Sequence, residues 1–497
     1  MMEFWQNIPM LLVVFSLMSA AICSVLPGKV ARVWLTAATG LACAASAFFL
    51  AKMLGFEGDY VYKMGEFGAP YGNELRCGRL EAVVALTFTS VLFLAVLGGA
   101  HRISTEVDPQ RRPLFCTVSL LLQAALIAMT YTNDMFTGYV FIEITTIAAC
   151  ALICVKSRGR TMFAATRYMI MNLIGSGLFL FGLCMMYCLT GHLLFPQLKE
   201  QIALLAARGR YGVPLYTALI LMGLGIAIKA GLYPFHTWIP NAYSSATPSA
   251  AAMLSSLVCK TYIFLLLKAV WRVFGPETFQ PVGDVLFVFS MLGIVMGSVE
   301  AIFEHNVRRM VAWSSVAQIG YIFMALSLCT REGAAAAVFH IAAHSCAKST
   351  LFLSAGRLVE VSGGKSDFRD LRGAGLRAPL AGAAFSVGAM SIVGIPVLGG
   401  FASKVFLVEA ALQLSKWKCI LMLAVLAVSV VLNVAYFLRT VLTLYRDPIA
   451  SEAAAAKAPR AGAAFCVSMS ALIGLSVALG VCGGTVMNWI RAGAALL

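Results

Sequence analysis

The chain has 497 residues, is 60% hydrophobic and only 12% charged, and carries a formal net charge of +15. So little charge, with a mean hydropathy of +0.87, excludes an ordinary soluble domain, which could not cover itself with polar groups. The basic balance does not point to nucleic acid, because in a membrane chain it reflects loops kept on the cytoplasmic side.

A helix that crosses a bilayer needs about 20 mostly apolar residues, and on that measure about fourteen spans are expected. They lie near 8–26, 31–52, 81–100, 113–131, 133–155, 165–189, 213–240, 246–270, 283–304, 308–329, 335–356, 380–412, 418–440 and 463–486. The connections are short, so the chain reads as one all-α polytopic membrane domain with no soluble domain of ordinary size. Residues 8–26 have the hydropathy of a signal peptide, but Glu3 precedes them and the leading segment is not basic. No clear cleavage site follows, so a first membrane helix is the expectation. With the N-terminus outside, inner loops hold roughly twenty Lys and Arg against about a dozen outside. Loop 156–167 (KSRGRTMFAATR) carries the clearest signal.

The 14 cysteines are scattered through apolar runs without a CxxC pair. Cys150 and Cys154 are one helical turn apart and could touch, but buried free cysteines commonly serve as small apolar fillers. No metal or cluster site is expected. No Walker A sequence occurs, and Gly223 and Gly225 inside a span read as helix packing. No cofactor and no redox centre of the chain's own is expected.

The informative residues are charges inside the spans. An ionisable group at bilayer depth is costly, so it faces a partner or a wet cavity and suggests an ion path. Glu143 lies in YVFIEITTIAACALI, Lys229 in GIAIKAGLYPFHTWIP and Lys260 in MLSSLVCKTYIFLLL. His340, His344 and Lys348 share VFHIAAHSCAKSTLFL, and Lys404 lies in VGIPVLGGFASKVFLVEAAL. The spacing i, i+4, i+8 sets His340, His344 and Lys348 along one helical stripe able to pass protons through water; a zinc site is the rival reading. Glu143 and Lys229 read either as a static buried pair or as a switchable one. Lys260 and Lys404 either snorkel to the headgroups or sit deep. Lys268, Arg272 and Lys416 are expected to snorkel or lie in loops.

Pro234 follows Lys229 and removes a backbone donor, which should interrupt the helix. A second span has a similar break at VGIPVLGGF, where Pro396, Gly399 and Gly400 precede Lys404. Freed carbonyls at such breaks are tolerated only where protein or water satisfies them. Two interrupted helices, each with a lysine, suggest inverted repeats around an ion site, near 113–270 and 283–440. Residues 1–112 would then supply three leading helices, and 441–497 the last one.

These stretches resemble one family. TNDMFTGYVFIEI, RYMIMNLIGSGLFLFG, IKAGLYPFHTWIPNAYSSATPSAAAMLSSLVCKTYIF, EHNVRRMVAWSSVAQIGYIFMA, FHIAAHSCAKSTLFLSAG and IPVLGGFASK run in order from about 131 to 410. They are similar to the antiporter-like membrane subunits of respiratory complex I, energy-converting hydrogenases and Mrp-type cation/proton antiporters. The resemblance implies a fourteen-helix subunit with two inverted five-helix repeats and broken seventh and twelfth helices. It implies that Glu143 and Lys229 are the paired residues of the fifth and seventh helices. Lys260 would be the central lysine, His340, His344 and Lys348 the polar stripe, and Lys404 the terminal group of the proton path. Many relatives have an acidic residue where this chain has Asn241, which bears on proton entry or docking at that loop. No long amphipathic arm follows the last span, which argues against the complex I subunit that carries one. PFHTWIPNAYSSATPS looks closest to the hydrogenase-type and Mrp-type branches.

The implied function is proton translocation in a bacterial or archaeal inner membrane, within a redox-driven multisubunit complex. Its partners would be other membrane subunits and peripheral iron–sulfur, hydrogenase or NADH-/quinone-oxidoreductase subunits. The alternative is a subunit of a multisubunit Na⁺/H⁺ antiporter. A purely structural anchor would not need five buried charge sites.

Overall fold

The computed structural model describes residues 3–68, 72–207, 209, 212–447 and 461–496. The chain enters through α1 (Ile8–Val25) and α2 (Gly28–Leu54), and then forms a short antiparallel hairpin. Its strands are β1 (Tyr60–Lys63) and β2 (Glu74–Cys77), with Tyr60 opposite Cys77. Next come α3 (Arg79–Glu106), α4 (Arg112–Tyr131), α5 (Met135–Cys154), α6 (Gly159–Thr190) and a short α7 (Phe195–Ala207). A broken pair follows, α8 (Gly212–Ala230) and α9 (Ile239–Ser245). Then α10 (Pro248–Met253) and α11 (Cys259–Ala269) join through one π-helical turn at Leu254–Val258. The second half holds α12 (Pro276–Phe303), α13 (Val307–Leu326), α14 (Arg331–Val361) and α15 (Ala374–Arg377). It continues with α16 (Pro379–Val393), α17 (Gly399–Leu412), α18 (Lys416–Tyr445), α19 (Ala463–Val481) and α20 (Gly483–Ala494).

Among the described residues, eleven helical stretches are long and apolar enough to cross a membrane. The other three expected segments, 308–329, 335–356 and 380–412, are helical as well. Two of them carry many polar side chains and the third is divided between α16 and α17. The final expected span, 463–486, bends at Cys482 between α19 and α20. Part of the 441–497 segment, residues 448–460, lies outside the described residues. The hairpin and α7 were not expected. Each is short and leaves no long apolar run in the sequence.

Burial sorts the bundle into core and rim. Residues 246–274, covering α10 and α11, are buried throughout, as are residues 333–359 of α14. Around them, α1, α2, α6, α12 and α18 keep large apolar side chains exposed, among them Val33, Phe181, Val285 and Val431. A helix exposing Val and Phe outward and small or polar groups inward suits a lipid solvent. Close helix approach helps: a Cβ on Gly225 of α8 would lie 2.6 Å from the Gly175 carbonyl oxygen of α6. Gly223 has only Val282 near it.

Both helix breaks have the same local cause. At the end of α8 the Gly231 N–H bonds the Ile228 carbonyl and the Leu232 N–H bonds that of Ala227, at 3.1 and 2.9 Å. This is the Schellman closure, which needs a left-handed residue, and Gly231 has φ +74°. At the end of α16, Gly394 has φ +94°, and its N–H and that of Ile395 both reach the Met390 carbonyl. The chain therefore leaves each helix at a glycine. Pro234 and Pro396 lie two or three residues further on, where they block resumption.

Candidate functional site

Lys229 is the penultimate residue of α8, fully buried, beside the break. Its ammonium lies 3.4 Å from the Glu143 carboxylate of α5 and donates to Thr146 Oγ1 at 2.8 Å. Ser176 of α6 donates to the same Glu143 oxygen. The Tyr262 ring of α11 lies under the ammonium, 5.6 Å from it. Four helices thus surround one carboxylate–ammonium pair. Glu143 is not sealed in: about a quarter of its side chain, 24%, is exposed.

Lys260 follows the π turn and is fully buried. It donates to the Ser255 carbonyl on that turn. A π turn misaligns the backbone ladder and such turns concentrate at functional places. An ammonium has three donors; the other two of Lys260 have no partner among the described residues. The same turn is pinned to its neighbours by Ser255 to Ser315 of α13, 2.9 Å, and by Ser345 of α14 donating to the Ser256 carbonyl, 2.6 Å.

The stripe on α14 faces inward. His340 Nδ1 meets Ser403 of α17 at 3.1 Å, and its ring stacks between Tyr321 and His344, at 5.4 and 5.8 Å. Both ring nitrogens of His344 are buried without a protein partner, as are His340 Nε2 and Gln318 Nε2. A cavity of about 10 Å³ adjoins them, lined also by Ser391 and Lys404. Its size is about that of one water, which would serve these orphaned groups. Lys348 turns to α13, donating to the Val311 carbonyl at 2.8 Å and to Ser314. Lys260 is near enough to act electrostatically on His340, His344 and Lys348.

Lys404 on α17 reaches back across the second break. It donates to the Ile392 and Val393 carbonyls, at 2.9 and 2.5 Å, the last two residues of α16. A cation at a helix C-terminus satisfies carbonyls that have no intrahelical donor. Lys229 thus precedes its break and Lys404 follows its own.

The structure brings Glu143 together with Lys229, and His340 and His344 together with Lys404. Lys260 lies on the side of the α14 stripe. The expectation that Lys268 and Arg272 snorkel is corrected. Lys268 is fully buried and donates to the Met129, Thr130 and Thr132 carbonyls at 2.8–2.9 Å, closing the end of α4. Arg272, 4% exposed, pairs at 2.7 Å with Glu81 of α3, itself 1% exposed. Their positions near the end of an apolar run gave no sign of this, because both partners are remote in sequence. Lys416 is exposed.

The fold and the ionisable groups inside the bundle define a polytopic helical membrane protein of antiporter-like architecture. Residues 132–431 match the family described as NADH:quinone oxidoreductase/Mrp antiporter, transmembrane, and the chain belongs to it. It is 31% identical to NADH-quinone oxidoreductase subunit N of Desulforudis audaxviator over 91% of this chain and 89% of that protein. To the D-type subunit of the Na⁺/H⁺ antiporter of Alkalihalophilus pseudofirmus it is 26% identical, over 73% and 72%. A chain of the archaeal membrane-bound sulfane sulfur reductase superposes with a TM-score of 0.86 at 26% identity, over 99% and 98%. A chain of the Mrp complex from Dietzia shares the fold, with a TM-score of 0.85 at 22% identity, over 99% and 97%. The chain is a multi-pass membrane protein of this family.

Proposed function

We propose that the chain is a proton-translocating membrane subunit of a redox-driven multisubunit complex in a bacterial or archaeal membrane. The observation that carries this reading is the set of ionisable groups held inside the bundle: Lys229 with the partly exposed Glu143, the buried Lys260, and the buried His344 and His340 beside the half-buried Lys404. A protein that only anchored a partner would gain nothing from desolvating so many charges. In this reading Glu143 and Lys229 receive the proton. Lys260 and the α14 histidines pass it on through water, and Lys404 releases it. Pro234 and Pro396, with the glycines before them, keep the two helices open beside those lysines. The oxidoreductase setting is supported by the 31% identity to the NADH-quinone oxidoreductase relative over 91% of this chain, and the partner subunits follow from that setting.

The two-repeat organisation, 113–270 and 283–440, is supported by the order of packing. In the first half α4 packs on α5, α5 on α6, α6 on α8 and α8 on α11. In the second half α12 packs on α13, α13 on α14, α14 on α16 and α16 on α18.

The reading is tested with Lys229→Ala in the assembled complex, reconstituted in vesicles. Assembly and electron transfer at the partner subunits should survive, and proton uptake should disappear. Full pumping by that variant overturns it. The second reading, a subunit of a cation/proton antiporter, rests on the likeness to the Na⁺/H⁺ antiporter relative. It requires proton flux that depends on Na⁺ or K⁺ and no cluster-bearing partner on purification.

A further inference from the structure

On the face that carries loop 156–167 the helices leave a cleft of about 850 Å³. Five cations line it, Lys156, Arg158, Arg160, Arg308 and Arg309, and among the described residues no carboxylate does. Two of the five are matched from behind: Lys156 by Glu106 of α3, and Arg309 by Glu304 at 2.8 Å. Arg158, Arg160 and Arg308 form no ion pair among the described residues, and Nε of Arg308 is buried without a hydrogen-bond partner. The first turns of α6 and α13 also open into the cleft, through Gly159, Arg160 and Thr161 on one and Arg308 on the other. Both ends add partial positive charge.

Asn241 removes the charge that could have neutralised this. Its side-chain oxygen accepts from Arg309 at 2.8 Å inside the cleft, where a carboxylate would have made a third ion pair. The cleft also touches the broken helix. Lys156 and Arg308 both donate to the Ala246 carbonyl, at the C-terminal end of α9.

An apolar lip distinguishes the ligand. Phe163 lines the cleft and is 66% exposed. Below it the exposed side chains Ile170, Ile174 and Phe181 continue along α6 at steps of seven, four and seven residues, one face of a helix. Guanidinium groups take phosphate in a forked, two-bond geometry. We infer that the cleft binds the headgroup phosphate of an anionic phospholipid, whose acyl chains lie along Phe163 and the outer face of α6. The bound lipid would brace the end of α9 through the two side chains that hold Ala246.

The test uses the full chain within its complex, delipidated in mild detergent and titrated with phosphatidylglycerol or with phosphatidylcholine. Bound lipid is counted by native mass spectrometry. Phosphatidylglycerol should be preferred, and the exposed double variant Arg158→Gln/Arg160→Gln should bind it about 30-fold more weakly, the effect of two interfacial cations. Asn241→Asp should weaken it in the same direction while leaving phosphatidylcholine unchanged. Equal phosphatidylglycerol binding by parent and double variant overturns the proposal. So does inorganic phosphate that displaces the lipid at equal concentration, which would mean a free-phosphate site. Loss of a partner subunit from the double variant with its lipid count unchanged would mean an acidic protein segment fills the cleft, and also overturns it.

Discussion

Gly394→Ala is the substitution that bears most directly on how the second break holds its lysine. The residue sits at φ +94°, and a Cβ there would lie 2.9 Å from Cδ and 3.1 Å from Nζ of Lys404. A left-handed non-glycine residue costs roughly 1–2 kcal/mol. The methyl group also competes with the ammonium for the space from which it reaches Ile392 and Val393. Loss of one charge-assisted hydrogen bond adds about 1.5–3 kcal/mol. The expected destabilisation is therefore about 2.5–5 kcal/mol, with proton flux per folded complex reduced because Lys404 is displaced. Pro396→Ala is the control, since it acts mainly through the unfolded chain and should cost about 0.4–1 kcal/mol. Both are measured as the midpoint of thermal unfolding in detergent, with flux measured in vesicles on the same preparations. If Pro396→Ala proved the more damaging of the two, the proline would be what makes the break, and the argument from the glycine closure would fail.

Arg272→Met strands a buried Glu81 and should cost about 3–5 kcal/mol, whereas Arg272→Met with Glu81→Leu should recover most of it; parallel thermal melts decide this. Lys268→Met, which leaves three carbonyls at the end of α4 without their donor, should lower the melting point clearly yet leave flux per folded complex unchanged. Retention of phosphatidylglycerol should depend on pH. Burial, and then the neighbouring Arg308, bring the Lys156 amine down to about 8, with Glu106 opposing and Arg102 adding to the shift. The amine is charged at pH 7 and largely neutral at pH 9, so the cleft loses a cation as pH rises. Binding should weaken about fivefold over that interval, measured by the same lipid count, and constant retention would refute the role of Lys156.

The helical architecture was legible because each apolar run is a local property. The ionisable residues inside those runs were legible for the same reason: Glu143, Lys229 and Lys404 stand out against leucine and alanine. What stops the broken helices was only half legible. AGLYP and VGIP each contain a glycine before the proline, and that glycine is the usual closing residue of a helix; weight placed on the prolines, and on Gly399 and Gly400 after the second, missed it. The burial of Lys268 and Arg272 had no local signal. One depends on the carbonyl end of α4, more than a hundred residues away in sequence, and the other on Glu81 of α3. The π turn before Lys260 was equally silent, since LSSLV has no residue that forbids an ordinary helical turn.

The complete enclosure of α10–α11 and α14 has a consequence for biogenesis. Residues 246–274, which run from α10 past the end of α11, and residues 333–359 of α14 carry Lys260, Lys268, Arg272, His340, His344 and Lys348 on surfaces that never meet lipid. Inserted alone, each centrally placed lysine or arginine would cost about 2.5–3.5 kcal/mol on insertion scales. Neither segment can settle in the bilayer ahead of its neighbours. They must enter the membrane already escorted, α10–α11 by the earlier helices and α14 by α13 and the helices that follow it. A translation pause or truncation that left either one without company would yield a segment the insertion machinery should reject.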